Sequence, residues 1–288
     1  MDLPAQVWVQ VVVNGLALGW LYVLMALGLT FILSMMGILQ LAHGEIYMIG
    51  AYIVYYLSVS LGLNHYLAML LSMLIMATFG ILLEKFLFRP VQGYLLPPIV
   101  VSIGLTLILT SAAAVFFGLF ERGLPRLAHG SFLVLGSAVP KDRIIAVGFS
   151  IGLLVLVYLF LKRSKYGQAM VASAQNRESA LLRGINPNQM SRLAFSIACA
   201  LAAVGGSLAG AIMKLSPFMG TPPLVKGLVI IVLGGMGSLL GATVGGLILG
   251  LLDSVIPVAF SPAVASIAPL IIVVIILLVR PQGLFGHE

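Results

Sequence analysis

Hydrophobicity along the chain comes in long continuous blocks. Apolar runs cover residues 7–36, about 45–61, 66–88, 95–118, 144–161, 193–212, 221–233, 239–252 and 265–279. Most approach the roughly 20 residues that a helix needs to cross a hydrocarbon core of about 30 Å. The short alternating segments of a transmembrane β-barrel do not occur in the sequence. The pattern predicts an all-α polytopic transmembrane helical bundle of about 8–10 spans, with some helices broken. It forms a single domain over residues 1–288. The first run is long for one crossing. It is either one tilted helix or two broken ones, and the second case adds a span.

The polar breaks orient the bundle. The longest is residues 162–192, KRSKYGQAMVASAQNRESALLRGINPNQMSR, which sets Lys162, Arg163, Lys165, Arg177, Arg183 and Arg192 against one acid, Glu178. Short basic loops stay on the cytoplasmic side, so this segment is placed inside, and Lys85 and Arg89 with it. Residues 120–143 and the N-terminus then fall outside. Arg122, Arg126, Lys141 and Arg143 are there partly offset by Glu121 and Asp142. Within the basic segment, Tyr166-Gly167 marks a turn. Residues 168–183 carry Val171, Ala174, Leu181 and Leu182 at helical spacing, with Ile185 just beyond. Gly184 reads as the residue that ends this helix, and Asn186-Pro187 stops it from continuing. A short amphipathic helix of this kind either rests on lipid headgroups or docks a cytoplasmic protein.

Two smaller interruptions fall inside apolar runs. At Gln40-Leu41-Ala42-His43-Gly44-Glu45, ionisable groups enter where the chain is otherwise greasy. This is either a short turn at the inner face or a broken helix that borders a solute path. At Gly234-Gly235-Met236-Gly237-Ser238, a helix begun at Thr221 would reach only about 20 Å, too short to span. Interrupted helices in matching parts of two halves often flank a transport path, so the two places hint at an internal repeat.

Composition agrees with the pattern. The chain is 61% hydrophobic and 8% charged, with mean hydropathy +1.18. So little charge cannot cover a soluble surface, and most of the chain must face lipid. The net charge of +7 sits mainly between spans and implies no nucleic-acid partner. Cys199 is the single cysteine, so no intramolecular disulfide is expected. The opening MDLPAQVW lacks the basic n-region of a signal peptide. Many of the 32 glycines, such as Gly205, Gly206 and Gly210, or Gly241, Gly245 and Gly246, suit close helix packing in lipid. There is no GxxxxGK[ST] phosphate loop and no GxSxG elbow, and His43, His65, His129 and His287 are too scattered for a metal cluster. No catalytic group, metal or cofactor is expected. Uphill transport would need another subunit or an ion gradient, for which Glu45 and Asp253 are the candidate acids near span ends. A passive channel is the remaining reading.

NGLALGWLYVLMALGLTFI at residues 14–32 and LAHGEIYMIGAY at 41–52 resemble the branched-chain amino acid ABC transporter permeases of the LivH type. So do GQAMVASAQNRESALLRGINPNQM at 167–190, VLGGMGSLLGATVGGLILGLL at 232–252 and LLVRPQGLFG at 277–286. The resemblance implies the membrane subunit of a bacterial inner-membrane importer, with no ATP hydrolysis of its own. The implied partners are two cytoplasmic ATPase subunits, a second related permease or a second copy, and a periplasmic substrate-binding protein. It implies ATPase coupling by Gly167, Ala172, Asn176, Arg177, Ala180, Gly184 and Ile185, and so favours docking over a headgroup role. It implies a translocation path at Gln40, His43, Glu45, Gly234, Gly235, Gly237 and Ser238. Leu41 and Gln40 depart from the phenylalanine and asparagine usual before the AHGE signature. Members of the family carry leucine, isoleucine and valine, and also other amino acids, urea, short amides and aromatic acids.

Overall fold

A computed structural model describes residues 5–260 apart from 135 and 236, together with 264, 267, 271, 274, 275, 278 and 283. The described helices are α1 (Ala5–Met36), α2 (His43–Tyr55), α3 (His65–Leu83), α4 (Pro97–Phe117), α5 (Lys141–Arg163), α6 (Lys165–Gln175), α7 (Arg177–Leu182), α8 (Pro187–Ile212), α9 (Thr221–Gly234) and α10 (Leu239–Ala259). A π-helical turn prolongs α2 over Tyr56–Ser60, and another prolongs α3 over Glu84–Phe88. Six of these helices are long and apolar enough to cross a membrane, while α9 is shorter. The span expected at 265–279 lies largely outside the described residues.

The first apolar run is one uninterrupted helix of 32 residues, about 48 Å long, so it crosses once. The interval 120–143, read only as polar, holds a small antiparallel hairpin of β1 (Ser131–Val134) and β2 (Ser137–Pro140). Ser137 donates a hydrogen bond of 2.7 Å to the carbonyl of Gln6, which fixes the hairpin beside the start of α1. The bundle therefore has a hairpin end and, where α6 and α7 lie, a basic end.

The core is built from α1, α2 and α8, whose facing side chains are buried, whereas α4 and α5 expose most of theirs. The helices fall into two sets of three with opposite direction. In the first, α1 runs to the basic end, α2 returns and α3 runs down again. In the second, α8 runs to the hairpin end, α9 goes down and α10 comes back. Each set packs across the other, α1 along α10 and α8 along α3. This is an inverted-topology repeat.

Both α2 and α9 begin inside the bundle. After Met36 the chain turns at Gly37 (φ 67°) and climbs back, until the His43 ring occupies the space beside Gly28 of α1. Gly28 lies eight residues before the end of α1, about 12 Å in from the basic end. Residues 40–45 are thus packed inside the bundle, with Gln40, His43 and Glu45 buried, and do not form an exposed turn. From the opposite side, Leu215 pairs with Arg122 at the hairpin end, and the chain then descends to start α9 at Thr221. Gly44 and Gly220 meet where the two short helices begin. A Cβ on Gly44 would strike the Gly220 carbonyl, and a Cβ on Gly220 would strike that of Gly44. The two backbones are in direct contact there. The partner of the break at 40–45 is therefore the stretch just before Thr221. Gly234–Ser238 instead matches the connection between α2 and α3.

Candidate functional site

The start of α2 is fixed by α4. Helix N-termini leave backbone N–H groups without intrahelical acceptors, and here the Ala42 N–H donates to Ser102 Oγ at 3.0 Å in a buried setting. From that point three successive residues face three different helices. His43 lies against Gly28 of α1, which also borders the Ala198 carbonyl of α8. Gly44 lies on Gly220, before α9. Glu45 faces α4, where Thr110 donates to its Oε1 over a long 3.4 Å. Both amide atoms of Gln40, both ring nitrogens of His43 and Oε2 of Glu45 are buried without a hydrogen-bond partner among the described residues. Thr110 is 14th of the 21 residues of α4, so Glu45 packs well inside the length of that helix.

The start of α9 solves the same problem differently. Pro222 and Pro223 occupy its first turn and carry no N–H, so fewer donors need acceptors. The N-cap, Gly220, makes no side-chain hydrogen bond and brings no charge.

Gly234, Gly235, Gly237 and Ser238 lie elsewhere. They form a tight turn between α9 and α10 at the basic end, with Gly235 and Gly237 at φ 93° and 88°. Ser238 Oγ caps α10 by accepting from Gly241 N–H at 3.0 Å. The structure does not bring these residues to His43 and Glu45. It brings Gly237 and Ser238 to Met170, Val171 and Gln175 of α6, around a cleft of about 720 Å³ that also touches Ser34 and Met35.

The basic segment is two helices where one was expected over 168–183. Asn176 ends α6 and caps α7, its Oδ1 accepting from Ser179 N–H at 2.8 Å. The turn falls at Ser164, which caps α6 by accepting from Gly167 N–H at 2.8 Å. Gly167 is inside the first turn of α6, where a Cβ would strike the Phe160 carbonyl. Gly184 ends α7 as read, at φ 77°. The Ile185 N–H reaches back to the Ala180 carbonyl at 3.0 Å and the Gly184 N–H to that of Leu181 at 2.9 Å, a Schellman closure. Asn186 then caps α8, with Pro187 at its first position. Ala180 is buried and Ala172 is partly so, whereas Asn176, Arg177, Leu181 and Leu182 are exposed, and Arg177 donates to Asn188 Oδ1 at 2.7 Å.

Two constellations escaped the sequence reading. Asp253 is paired, accepting from Lys226 Nζ at 2.6 Å and from Tyr22 Oη at 2.8 Å, which ties α9, α10 and α1 together. Lys226 and Asp253 lie 27 residues apart and carried no visible link. The second is Thr106 and Thr110 opposite Glu45. Their i, i+4 spacing puts them on one face of an apolar helix, a signal that was there to be read. Glu84 is also paired, bidentately with Arg89 at 3.0 and 2.6 Å. Glu45 is thus the one acid of the described membrane helices that meets neither a cation nor a backbone N–H from another segment.

Comparison with known proteins follows the same lines. The permease protein BraD of the high-affinity branched-chain amino acid transport system of Pseudomonas aeruginosa is 33% identical over 97% of this chain and 96% of its own. The permease protein LivH of Salmonella typhimurium is 30% identical, with the same coverage. The permease protein LivM of that organism is 29% identical over 76% of this chain and 57% of its own. No solved structure matches. The family model described as branched-chain amino acid transport system / permease component matches residues 11–279. With its crossing helices and two shorter helices that begin against one another inside the bundle, this multi-pass membrane protein belongs to the permease components of branched-chain amino acid transport systems.

Proposed function

We propose that the chain forms half of the translocation path of an ATP-driven importer in a bacterial inner membrane, carrying branched-chain amino acids or a related small polar solute. Two ATPase subunits bind at the basic end and a binding protein delivers solute at the hairpin end. A second permease, related or identical, completes the path. The observation that carries the reading is the surface of α7. Leu182 is 90% exposed and Leu181 56%, beside Arg177 and Arg183. Apolar side chains ringed by cations suit a protein partner, and the Schellman closure passes displacement of α7 directly into α8. The cleft beneath α6 gives that motion room. The names of BraD and LivH support the solute class. The occurrence of LivH and LivM in one organism supports a pair of permeases. The pairing of Asp253 with Lys226 weakens the ion-coupled alternative.

The test is uptake of labelled leucine by proteoliposomes holding the assembled transporter. Uptake requires ATP, stops with vanadate and survives an uncoupler. Arg177→Glu and Gly184→Val lower uptake at least about tenfold, while the subunits still assemble and hydrolyse ATP. Normal uptake in both variants removes the docking role.

A further inference from the structure

The unpaired carboxylate of Glu45 lies within the spans of a chain whose other described intramembrane acids are satisfied. Glu45 is 3% exposed, its Oε2 has no partner among the described residues, and its Oε1 receives the 3.4 Å bond from Thr110, beside the carboxylate's contact with its own backbone N–H in the first turn of α2. The Thr106 hydroxyl lies beside the same carboxylate, itself without a partner of good geometry. One turn separates the two threonines, so carboxylate and hydroxyls converge between α2 and α4. Two turns further along each helix, Tyr52 stacks on Phe117 at 4.1 Å and closes the cluster toward the hairpin end. A buried unpaired carboxylate is costly, and a glutamine would fill the same volume at lower cost. The acid is explained if a cation visits it. The acceptors number three, one carboxylate and two hydroxyls, matching the three N–H donors of a primary ammonium.

We propose that Glu45, Thr106 and Thr110 form the subsite of the path that takes the ammonium group of a zwitterionic amino acid. This rests on the reading of the chain as an amino-acid permease. The carboxylate then discriminates against solutes that have the same apolar side chain but no ammonium.

The experiment measures equilibrium binding of labelled leucine to the complete transporter in nanodiscs, without nucleotide or binding protein. Competitors are 3-methylbutylamine, which keeps the ammonium and lacks the carboxylate, and 4-methylpentanoate, which does the reverse. Glu45→Gln weakens leucine at least about tenfold, the scale of one lost charge-assisted hydrogen bond. The amine competes in the wild type and loses that effect in Glu45→Gln, whereas the acid competes equally in both. Thr106→Val with Thr110→Val weakens the amine while leaving the carboxylate in place, and serves if Glu45→Gln does not assemble. The proposal is overturned if Glu45→Gln, or the threonine pair where that variant fails, binds leucine and amine within twofold of wild type. Wild-type binding that the amine does not touch overturns it as well. Binding that requires sodium in the wild type and not in Glu45→Gln also overturns it, since the site then serves an inorganic cation. Failure of the importer reading shows separately, as a wild-type complex that binds leucine through Glu45 yet takes none up with ATP.

Discussion

The starts of α2 and α9 are the same piece of architecture made with different chemistry. Each is a helix that opens inside the bundle, entered by a non-helical stretch, and each leans on the other through one glycine. At α9 the donors that need acceptors are reduced by two prolines, and the polar side chain that opens it, Thr221, is exposed and uncharged. At α2 the donor is kept and answered by Ser102, and Gln40, His43 and Glu45 are buried around it. Geometry therefore does not require buried ionisable groups here, because the start of α9 manages without them. The burial of Gln40, His43 and Glu45 is a cost that the matching helix start avoids.

The largest test of this comparison strikes what the two halves share. Gly44→Val and Gly220→Val each force apart two backbones in direct contact. Both should abolish recovery of monodisperse protein, and the alanine variants should cost the two sites about equally, 1–3 kcal/mol each by thermal unfolding in detergent. Unequal losses break the symmetry. Next comes the tie that holds α9 to α10 and α1. Lys226→Met or Asp253→Asn alone leaves a buried charge unpaired and should cost about 3–5 kcal/mol, and the double variant markedly less. The same melting curves combined as a double-mutant cycle give the coupling. Smaller is the effect of Ser102→Ala, which strands the Ala42 N–H at about 1–3 kcal/mol. Its counterpart Pro222→Ala adds a donor to α9 and should cost less. At the bottom of the scale, Lys214→Met removes the exposed pair with Glu121 (2.7 Å), in which the carboxylate raises the lysine pKa. Solvent screens that pair, so melting should not change measurably at physiological salt.

What could be read in the sequence follows the range of the interactions involved. Gly184 was legible because its left-handed conformation and the proline after Asn186 are local facts. Asn176 was missed because asparagine serves both inside and at the start of a helix, and only the path of the backbone decides. Gly234–Ser238 drew attention through glycine density, and these residues make the turn between α9 and α10. The counterpart of the first break sits before Pro222-Pro223, where the proline pair is the local signal. The depth of Glu45 and its facing threonines, more than 60 residues downstream, depend on helix packing that no local pattern encodes. The crossing helices, by contrast, were plain, since lipid imposes continuous hydrophobicity on them.

The contact between Gly44 and Gly220 has a consequence for the shape of any conduit. Two peptide chains touch at the centre of this molecule, with no side chain between them to swing aside. A bore down the middle of one copy would have to pull apart main chain that is packed to atomic contact. Within one copy this contact is a wall of main chain and not a gate of movable side chains.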